Sequence, residues 1–305
     1  MTLNTMKVVL SLTKAGRLQE ATQCIQRALS GTVPLTSAAG EAHIEKSHVR
    51  RPLRPLSETV AKLGKLVQKP TRITLATKLD IPAGAKFQDG SFTCAAGTRT
   101  YKLYVPKSLP LHGGGLIVML HGCTQNAVDF AAGTGMNEIA EAEGMIVVYL
   151  NQAMQANSSG CWNWFNPRDQ IHGQGEPSII AGITEELISA YHVKPNQVFI
   201  AGLSSGGAMA VILGHTYPTL YSAIGVHSGL PYRSANDVIS AFSAMRGERK
   251  SSSILLKPRV IVFHGDADTT VHPSNALAIV SSVKDHSVKT ATVFPPVEEN
   301  TPGQS

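Results

Sequence analysis

The sequence contains no long hydrophobic run and no recognisable leader. No stretch of about 18 or more consecutive apolar residues occurs among its 305 residues, so we expect no membrane-spanning helix. Within the first 17 residues the one apolar patch is residues 8–10, which is too short for the hydrophobic region of a signal peptide. From the residues alone we therefore expect a cytoplasmic protein.

Cofactor and metal motifs are missing too. The sequence has no Walker loop and no dinucleotide fingerprint, so we expect no nucleotide cofactor. The four cysteines, Cys24, Cys94, Cys123 and Cys161, do not have the spacing of zinc ligands, and we expect no metal. Their spacing alone does not decide whether any two of them are bonded. No internal repeat is present, which argues against a helical-repeat array.

Positive charge is concentrated at one end of the chain. Residues 1–70 carry 11 Lys and Arg against 4 Asp and Glu, whereas residues 71–305 carry 16 against 17. Apolar residues at helical spacing predict a helix over 5–30, and the Pro-, Ser- and Arg-rich stretch to residue 70 indicates a linker. A basic segment of this kind is more typical of a solvated linker than of a surface for anionic partners, and we expect no nucleic-acid partner. We assign 1–70 to an N-terminal helix and basic flexible linker, and 71–305 to a second, folded domain.

Strand-like and helix-like stretches alternate along the second segment. A hairpin is indicated at 87–92, and the predicted strands are 99–105, 116–120, 145–149, 198–201, 223–226 and 260–263. Between them, helical patterns cover about 135–143, 179–192, 204–217, 235–245 and 275–283, and residues 152–177 form an unusually long loop. This alternation predicts an α/β fold with a mainly parallel sheet and helices on both faces. In such sheets the ligand site lies at the carboxyl ends of the strands.

A Gly-x-Ser-x-Gly turn follows the strand at 198–201 and opens a helix rich in Ala and Met. This arrangement is typical of a nucleophile elbow, with Ser204 held in a strained turn above the sheet. A side chain on Gly202 or Gly206 would strike neighbouring backbone. The helix N-terminus favours negative charge developing beside Ser204. We therefore predict that Ser204 is a catalytic nucleophile; a plain glycine turn is the alternative.

Two further groups complete part of a serine-hydrolase site. The segment 121–123 follows a strand where a hydrolase turns its backbone toward the acyl oxygen, so we predict the N–H groups of Cys123 and Ser205 as the oxyanion hole. A carboxylate after the strand at 260–263 suits the Ser, Asp, His order of α/β-hydrolases. We predict Asp268 as this acid, with Asp266 as second choice; either could instead be a turn or N-cap residue.

Taken together, these motifs resemble the polyhydroxybutyrate (PHB) depolymerase family of esterases. The resemblance runs from about residue 92 to residue 275 and rests on several motifs in order. They are HGCTQ at 121–125, CWNWF at 161–165, GEP at 175–177, GLSSGGAMA at 202–210, HSGLP at 227–231 and HGDAD at 264–268. Residues 15–22 also resemble the N-terminal helix of unsecreted bacterial members.

The resemblance implies an α/β-hydrolase fold and cleavage of carboxylic esters. It implies substrates among polyesters and acylated plant glycans. It also implies that Cys123 and Cys161 lie close together, as a disulfide that ties the long loop to the oxyanion loop. Since many members are secreted, an extracellular location is the alternative to a cytoplasmic one. Trp162, Trp164 and Phe165 on the long loop either line a substrate groove or pin the loop to the core.

The sequence departs from the family at its catalytic base. Family members carry this histidine in a Gly-His-Ala-Trp-like motif followed by a closing helix, and neither follows His286 here. We therefore expect the domain to be incomplete at its C-terminus, without the last strand, its histidine and the last helix. His272, four residues after Asp268, is the candidate surrogate base. Loss of the base would impair turnover severely, so a non-catalytic protein that binds an ester polymer or glycan is the alternative.

Overall fold

The computed structural model describes residues 79–110, 114–248 and 255–283. The predicted N-terminal helix, the linker and everything after residue 283 lie outside the described residues. The strands are β1 (Lys86–Cys94), β2 (Gly97–Val105), β3 (Leu116–Leu120), β4 (Ile146–Leu150), β5 (Val198–Leu203), β6 (Ala223–His227) and β7 (Arg259–Phe263). The helices are α1 (Ala127–Thr134), α2 (Met136–Glu143), α3 (Gly175–Tyr191), α4 (Ser205–Thr216), α5 (Val238–Met245) and α6 (Ser274–Ser281), with a 3₁₀ turn at Pro167–Gln170.

Seven strands form one mixed sheet in the order β1-β2-β4-β3-β5-β6-β7. The pairs β1/β2 and β2/β4 are antiparallel, and the other four pairs are parallel. The prediction of a mainly parallel α/β sheet is therefore confirmed. Parallel strands end at the same edge, so the loops after β3, β4, β5, β6 and β7 share that edge.

The position predicted for the hairpin turn, within 87–92, was wrong. Asp89 and Gly90 lie in the middle of β1, and the chain reverses between Cys94 and Gly97. Gly90 pairs with Tyr101, whose ring occupies the space that a side chain on Gly90 would need. The glycine therefore accommodates a cross-strand aromatic ring and does not make a turn.

The sheet is covered on both faces, as the central strand β4 illustrates. All five of its residues are buried, and alternate residues enter two different apolar clusters. Tyr149 packs with Phe130 of α1 and Ala140 of α2 on one face. Ile146 lies on the other face, in the cluster that includes residues of α3 and α4. Strands buried on both faces carry continuous rather than alternating apolar residues, as the sequence 146–150 does.

Helix α1 was not predicted from the sequence. The sequence interpretation left α1 unassigned, although Asn126 caps it by accepting the N–H groups of Val128 and Asp129.

At the far edge of the sheet, β7 pairs with β6 and, among the described residues, with no other strand. Its Ile261 and Phe263 side chains are 55% and 56% exposed. No helix in the described ranges is long and apolar enough to cross a membrane.

Candidate active site

The turn at Ser204 joins β5 directly to α4. Ser204 has φ 54° and ψ −115°, a left-handed conformation that a residue with a side chain rarely adopts. Its N–H donates to His227 O at 2.8 Å. A side chain on Gly202 would strike Gly206, and one on Gly206 would strike Leu120 O. The strand-turn-helix arrangement predicted for this segment is therefore confirmed, together with the steric need for both glycines.

Ser204 lies in a cleft of about 410 Å³ at the carboxyl edge of the sheet. This cleft brings together Ser204, Cys123 and Asp268, which come from the loops after β5, β3 and β7. Its volume is within the range typical of small-molecule sites. The lining residues are Gly122, Cys123, Thr124, Gln125, Leu203, Ser204, Ser228, Asp268, Thr270 and Val271.

The two predicted oxyanion donors are both unengaged. Among the described residues, neither the Cys123 N–H nor the Ser205 N–H donates to a protein acceptor. Ser205 is the first residue of α4, where backbone N–H groups lack intrahelical partners and favour negative charge. The turn before α1 is fixed internally, since Gln125 Oε1 accepts the Gly122 N–H at 2.9 Å. Two free N–H groups on fixed backbone suit the binding of a developing oxyanion.

The long loop after β4 is fastened to this turn at three points. A disulfide joins Cys123 to Cys161. The Thr124 N–H donates to Ser159 O at 2.9 Å, and the indole Nε1–H of Trp162 donates to His121 O at 3.1 Å. His121 is itself buried and neutral: its Nε2 accepts the Gln152 N–H at 3.1 Å, and burial lowers its pKa. The segment from Ser159 to Trp162 therefore acts as a strap over the oxyanion turn.

The aromatic residues of the long loop belong to the core more than to the cleft. Trp162 is 0% exposed and Trp164 is 6% exposed, and neither lines the cleft. The substrate-binding interpretation of these two residues does not fit this burial; the alternative, a loop pinned by its aromatics, does. Phe165 is half-buried and packs edge-on against Trp164 at 5.7 Å between ring centres. Its contact with a substrate stays a prediction.

Asp268 is held by donors on its own loop. Its Oδ1 accepts the N–H groups of Thr270 and Val271, both at 2.9 Å, and the Ser228 hydroxyl also donates to the carboxylate. Partial burial raises the pKa of Asp268, but these hydrogen bonds outweigh it and bring the pKa below its ordinary value. The carboxylate is therefore charged and oriented at the cleft. Asp266, the second choice, is exposed and does not line the cleft.

No histidine in the described ranges is hydrogen-bonded to the Ser204 hydroxyl. His264 lies closest to the acid, with Nε2 3.6 Å from Asp268 Oδ2, but this nitrogen donates to Val271 O at 2.7 Å. His272, the candidate surrogate base, is exposed and its Nδ1 bonds to Ser274. His286 lies outside the described residues. Ser204, the predicted oxyanion donor Cys123 and the predicted acid Asp268 thus line one cleft, in which the described residues place no base. Ser205, the second predicted donor, follows Ser204 in the chain but is buried and does not line the cleft.

We predicted no role for Glu176 from the sequence. In the structure its buried carboxylate binds Asn163 of the long loop. Its side chain is 4% exposed and accepts from Arg99 Nη2 at 3.1 Å. It also accepts both the backbone N–H and the side-chain amide of Asn163, at 2.8 and 2.9 Å, and the amide of Gln152. Burial and the nearby Asp169 carboxylate raise the pKa of Glu176. The signal in the sequence was its place in the GEP motif at 175–177, which contributed to the family resemblance without a role of its own.

Comparison with known proteins finds similarity to a depolymerase and to an esterase. The chain is 32% identical over 186 residues to poly(3-hydroxyalkanoate) depolymerase C of Paucimonas lemoignei, covering 56% of this chain and 44% of that protein. It is 33% identical over 201 residues to acetylxylan esterase A of Talaromyces purpureogenus, covering 59% of this chain and 51% of that protein. The chain thus spans about half the length of the curated relatives it matches.

Fold and family follow from two further matches. The solved structure of acetyl xylan esterase from Aspergillus awamori superposes with a TM-score of 0.57 at 24% identity, covering 64% of this chain and 78% of that one. At this identity the likeness concerns the α/β-hydrolase fold alone. The family model described as esterase PHB depolymerase matches residues 99–292, which is more than half of the chain. The chain therefore belongs to the esterase PHB depolymerase family.

Proposed function

We propose that the chain is a serine hydrolase for carboxylic esters, with Ser204 as nucleophile. The observation that carries this proposal is one cleft lined by Ser204 on a strained turn, by Cys123 with its unengaged N–H group and by the oriented carboxylate of Asp268. Ser204 Oγ attacks the ester carbonyl carbon, and its proton passes to a base oriented by Asp268. The Cys123 and Ser205 N–H groups hold the oxyanion, and each such donor is typically worth about 3 kcal/mol of barrier. Collapse of the intermediate expels the alcohol, and water then releases the acid.

Turnover by this chain is proposed to be weak, since the described residues supply no base for Ser204. In serine hydrolases, loss of the base lowers kcat by a factor of about 10⁶, while the oxyanion hole and substrate binding keep a residual rate. Added imidazole can act as a diffusible base in place of the missing side chain. The same observation favours a second candidate function, a non-catalytic protein that uses the cleft to bind an ester polymer or glycan.

The proposed substrates are polyesters of hydroxy acids and acetyl or feruloyl esters of glycans. The relatives are named for activity on poly(3-hydroxyalkanoate) and acetylxylan, which supports both classes. No cofactor and no nucleic-acid partner enter the proposal. The Cys123–Cys161 disulfide supports the extracellular location over the cytoplasmic one, because disulfides persist in oxidising compartments.

Fluorophosphonate labelling tests the nucleophile. The unmodified protein should be labelled at Ser204 slowly on its own and faster with added imidazole. Ser204→Ala should not be labelled, and Ser178→Ala, on α3, should be labelled like the unmodified protein. Absence of labelling with and without imidazole would favour the binding protein over the hydrolase.

Hydrolysis of p-nitrophenyl butyrate tests the missing base. We expect slow turnover that rises with imidazole concentration and disappears in Ser204→Ala. Fast turnover that does not respond to imidazole would refute the missing-base proposal. Histidine substitutions, including His286→Ala, would then identify the base.

A further inference from the structure

A second pocket, distinct from the cleft, opens between the long loop and the loop after β6. Its volume is about 280 Å³, and it is lined by Pro167, Gln170, Ile171, Arg233, Ala235 and Asn236. It shares no lining residue with the Ser204 cleft. The two loops are nevertheless connected to the cleft, because Cys161 of the long loop is bonded to the cleft residue Cys123 and the loop after β6 carries the cleft residue Ser228.

Arg233 is the charged group of this pocket, and its backbone conformation is unusual. Its φ of 56° is left-handed, a conformation that is costly for a residue with a side chain and is often found at functional sites. Its guanidinium carbon lies 5.1 Å from the ring centre of the buried Tyr232. Among the described residues no carboxylate lies within ion-pair distance of Arg233. Within the described ranges, a positive charge on strained backbone therefore has no carboxylate counter-ion.

The amide groups beside Arg233 offer complementary hydrogen-bonding atoms. Gln170 is buried, and its Nε2 donates both hydrogens, to Trp164 O at 2.9 Å and to Ala235 O at 2.8 Å. Its Oε1 is left to accept. Asn236 Oδ1 accepts from Ser240 Oγ at 2.9 Å, which leaves its Nδ2 to donate. The pocket wall thus combines a cation, a free amide donor and a free amide acceptor.

The remaining wall is apolar. Pro167 and Ala235 carry only carbon side chains, and Ile171 exposes 40% of its surface. Carboxylates are the usual partners of an arginine beside an amide donor. The Gln170 oxygen requires a donor such as a hydroxyl, and the apolar wall suits a short alkyl group.

We propose that this pocket binds the carboxylate of a short aliphatic hydroxy acid. Arg233 and Asn236 take the carboxylate, Gln170 Oε1 accepts the hydroxyl proton, and Ile171 contacts the alkyl chain. The proposal rests on the proposed function, since hydrolysis of a polyester creates such acids, either free or as the end of an oligomer. The pocket would then retain the product end of a chain.

Calorimetric titration of the Ser204→Ala protein tests this site, because that variant cannot cleave oligomers. The probes are 3-hydroxybutyrate, its linear trimer with a free carboxylate, and methyl 3-hydroxybutyrate. We expect saturable binding of both acids and at least about tenfold weaker binding of the methyl ester, which lacks the charge. Equal affinity for monomer and trimer indicates a site for free acid; tighter binding of the trimer indicates a site for chain ends.

Matched arginine variants complete the test. Arg233→Asn removes the charge while keeping a residue that tolerates left-handed backbone, and should weaken binding by at least about tenfold. Arg168→Gln, an exposed arginine on the 3₁₀ turn that does not line the pocket, should leave binding within about twofold. Undiminished binding by Arg233→Asn, equal binding of the methyl ester, or no saturable binding of either acid overturns the proposal. Fluorophosphonate labelling of Ser204 is independent of all three results, so the two proposals fail separately.

Discussion

The disulfide between Cys123 and Cys161 connects a proposed oxyanion donor to the long loop across 38 residues of sequence. Cys123 N–H points to no protein acceptor among the described residues, so the position of its backbone is set by the surrounding contacts. Those contacts are the disulfide, the Thr124–Ser159 hydrogen bond and the indole of Trp162 on His121 O. The geometry of the proposed oxyanion hole thus depends on a loop that supplies none of the groups in the proposed reaction.

Cys161→Ser tests this dependence. Losing a covalent closure of this length costs about 4 kcal/mol in the chain-entropy model, so the free energy of unfolding should fall by up to that amount. Labelling of Ser204 by fluorophosphonate should slow about tenfold, because a displaced donor stabilises the transition state less. Cys94→Ser, at the free cysteine on β1, should change neither quantity. Normal labelling by Cys161→Ser would show that the hydrogen bonds alone hold the turn.

The lowered pKa of Asp268 predicts a pH-dependent contribution to stability. A folded-state pKa below the ordinary value of 3.8 gives stability that is fully present above 3.8 and is lost as the pH falls through the folded pKa. The free energy of unfolding of Asp268→Asn should therefore be lower than that of the unmodified protein at neutral pH. This difference in free energy should vanish as the pH falls below the folded-state pKa of Asp268. Asp266→Asn, on the same loop and exposed, should follow the unmodified protein throughout. Urea unfolding at a series of pH values measures both.

Arg99→Met should destabilise the protein by about 3–5 kcal/mol, because it leaves the buried Glu176 carboxylate without its cation. Lys102→Met on the same strand is the control. Its partner Asp89 is 82% exposed, so loss of that pair should cost less than about 1 kcal/mol. The difference between the two urea midpoints checks the prediction, and similar midpoints for the two variants would contradict it.

The outer strand β7 should promote association of the protein. Ile261→Lys places a charge on an edge strand whose Ile261 and Phe263 side chains are exposed, and should delay aggregation on warming. Leu277→Lys is the control, since Leu277 is 70% exposed but lies on helix α6. Light scattering should separate the two variants. Equal delays would mean that surface charge, and not the strand, governs association.

Sequence patterns sufficed where the governing interactions are local. The apolar runs at 116–120 and 146–150 are strands because both faces of the sheet bury them. The turn at Ser204 could be predicted because Gly202 and Gly206 meet atoms of adjacent segments, which excludes any side chain. For the same reason the loop positions of Cys123 and Asp268 followed from the strands that precede them.

Long-range interactions were beyond the sequence. Gly90 looked like a turn residue because nothing local reveals the Tyr101 ring on the neighbouring strand. For Trp162 the sequence left a substrate contact and a loop anchor both open, because nothing local reveals the hydrogen bond from its indole to His121 O, 41 residues earlier. The Glu176 interaction was hidden in the same way, since its cation lies on β2. Arg233 gave no signal, because its left-handed backbone is a property of the folded loop.

The buried Arg99–Glu176 pair also constrains the order in which the molecule assembles. The two residues are 77 positions apart, and the carboxylate holds Asn163 within the long loop. Residues this distant in sequence lose loop-closure entropy before their contact forms and stabilises the chain. Such contacts therefore slow folding. The Ser204 turn is local and can form early. We therefore expect the strap over the oxyanion turn to form after β2 has joined β4, and the cleft to be completed late in folding.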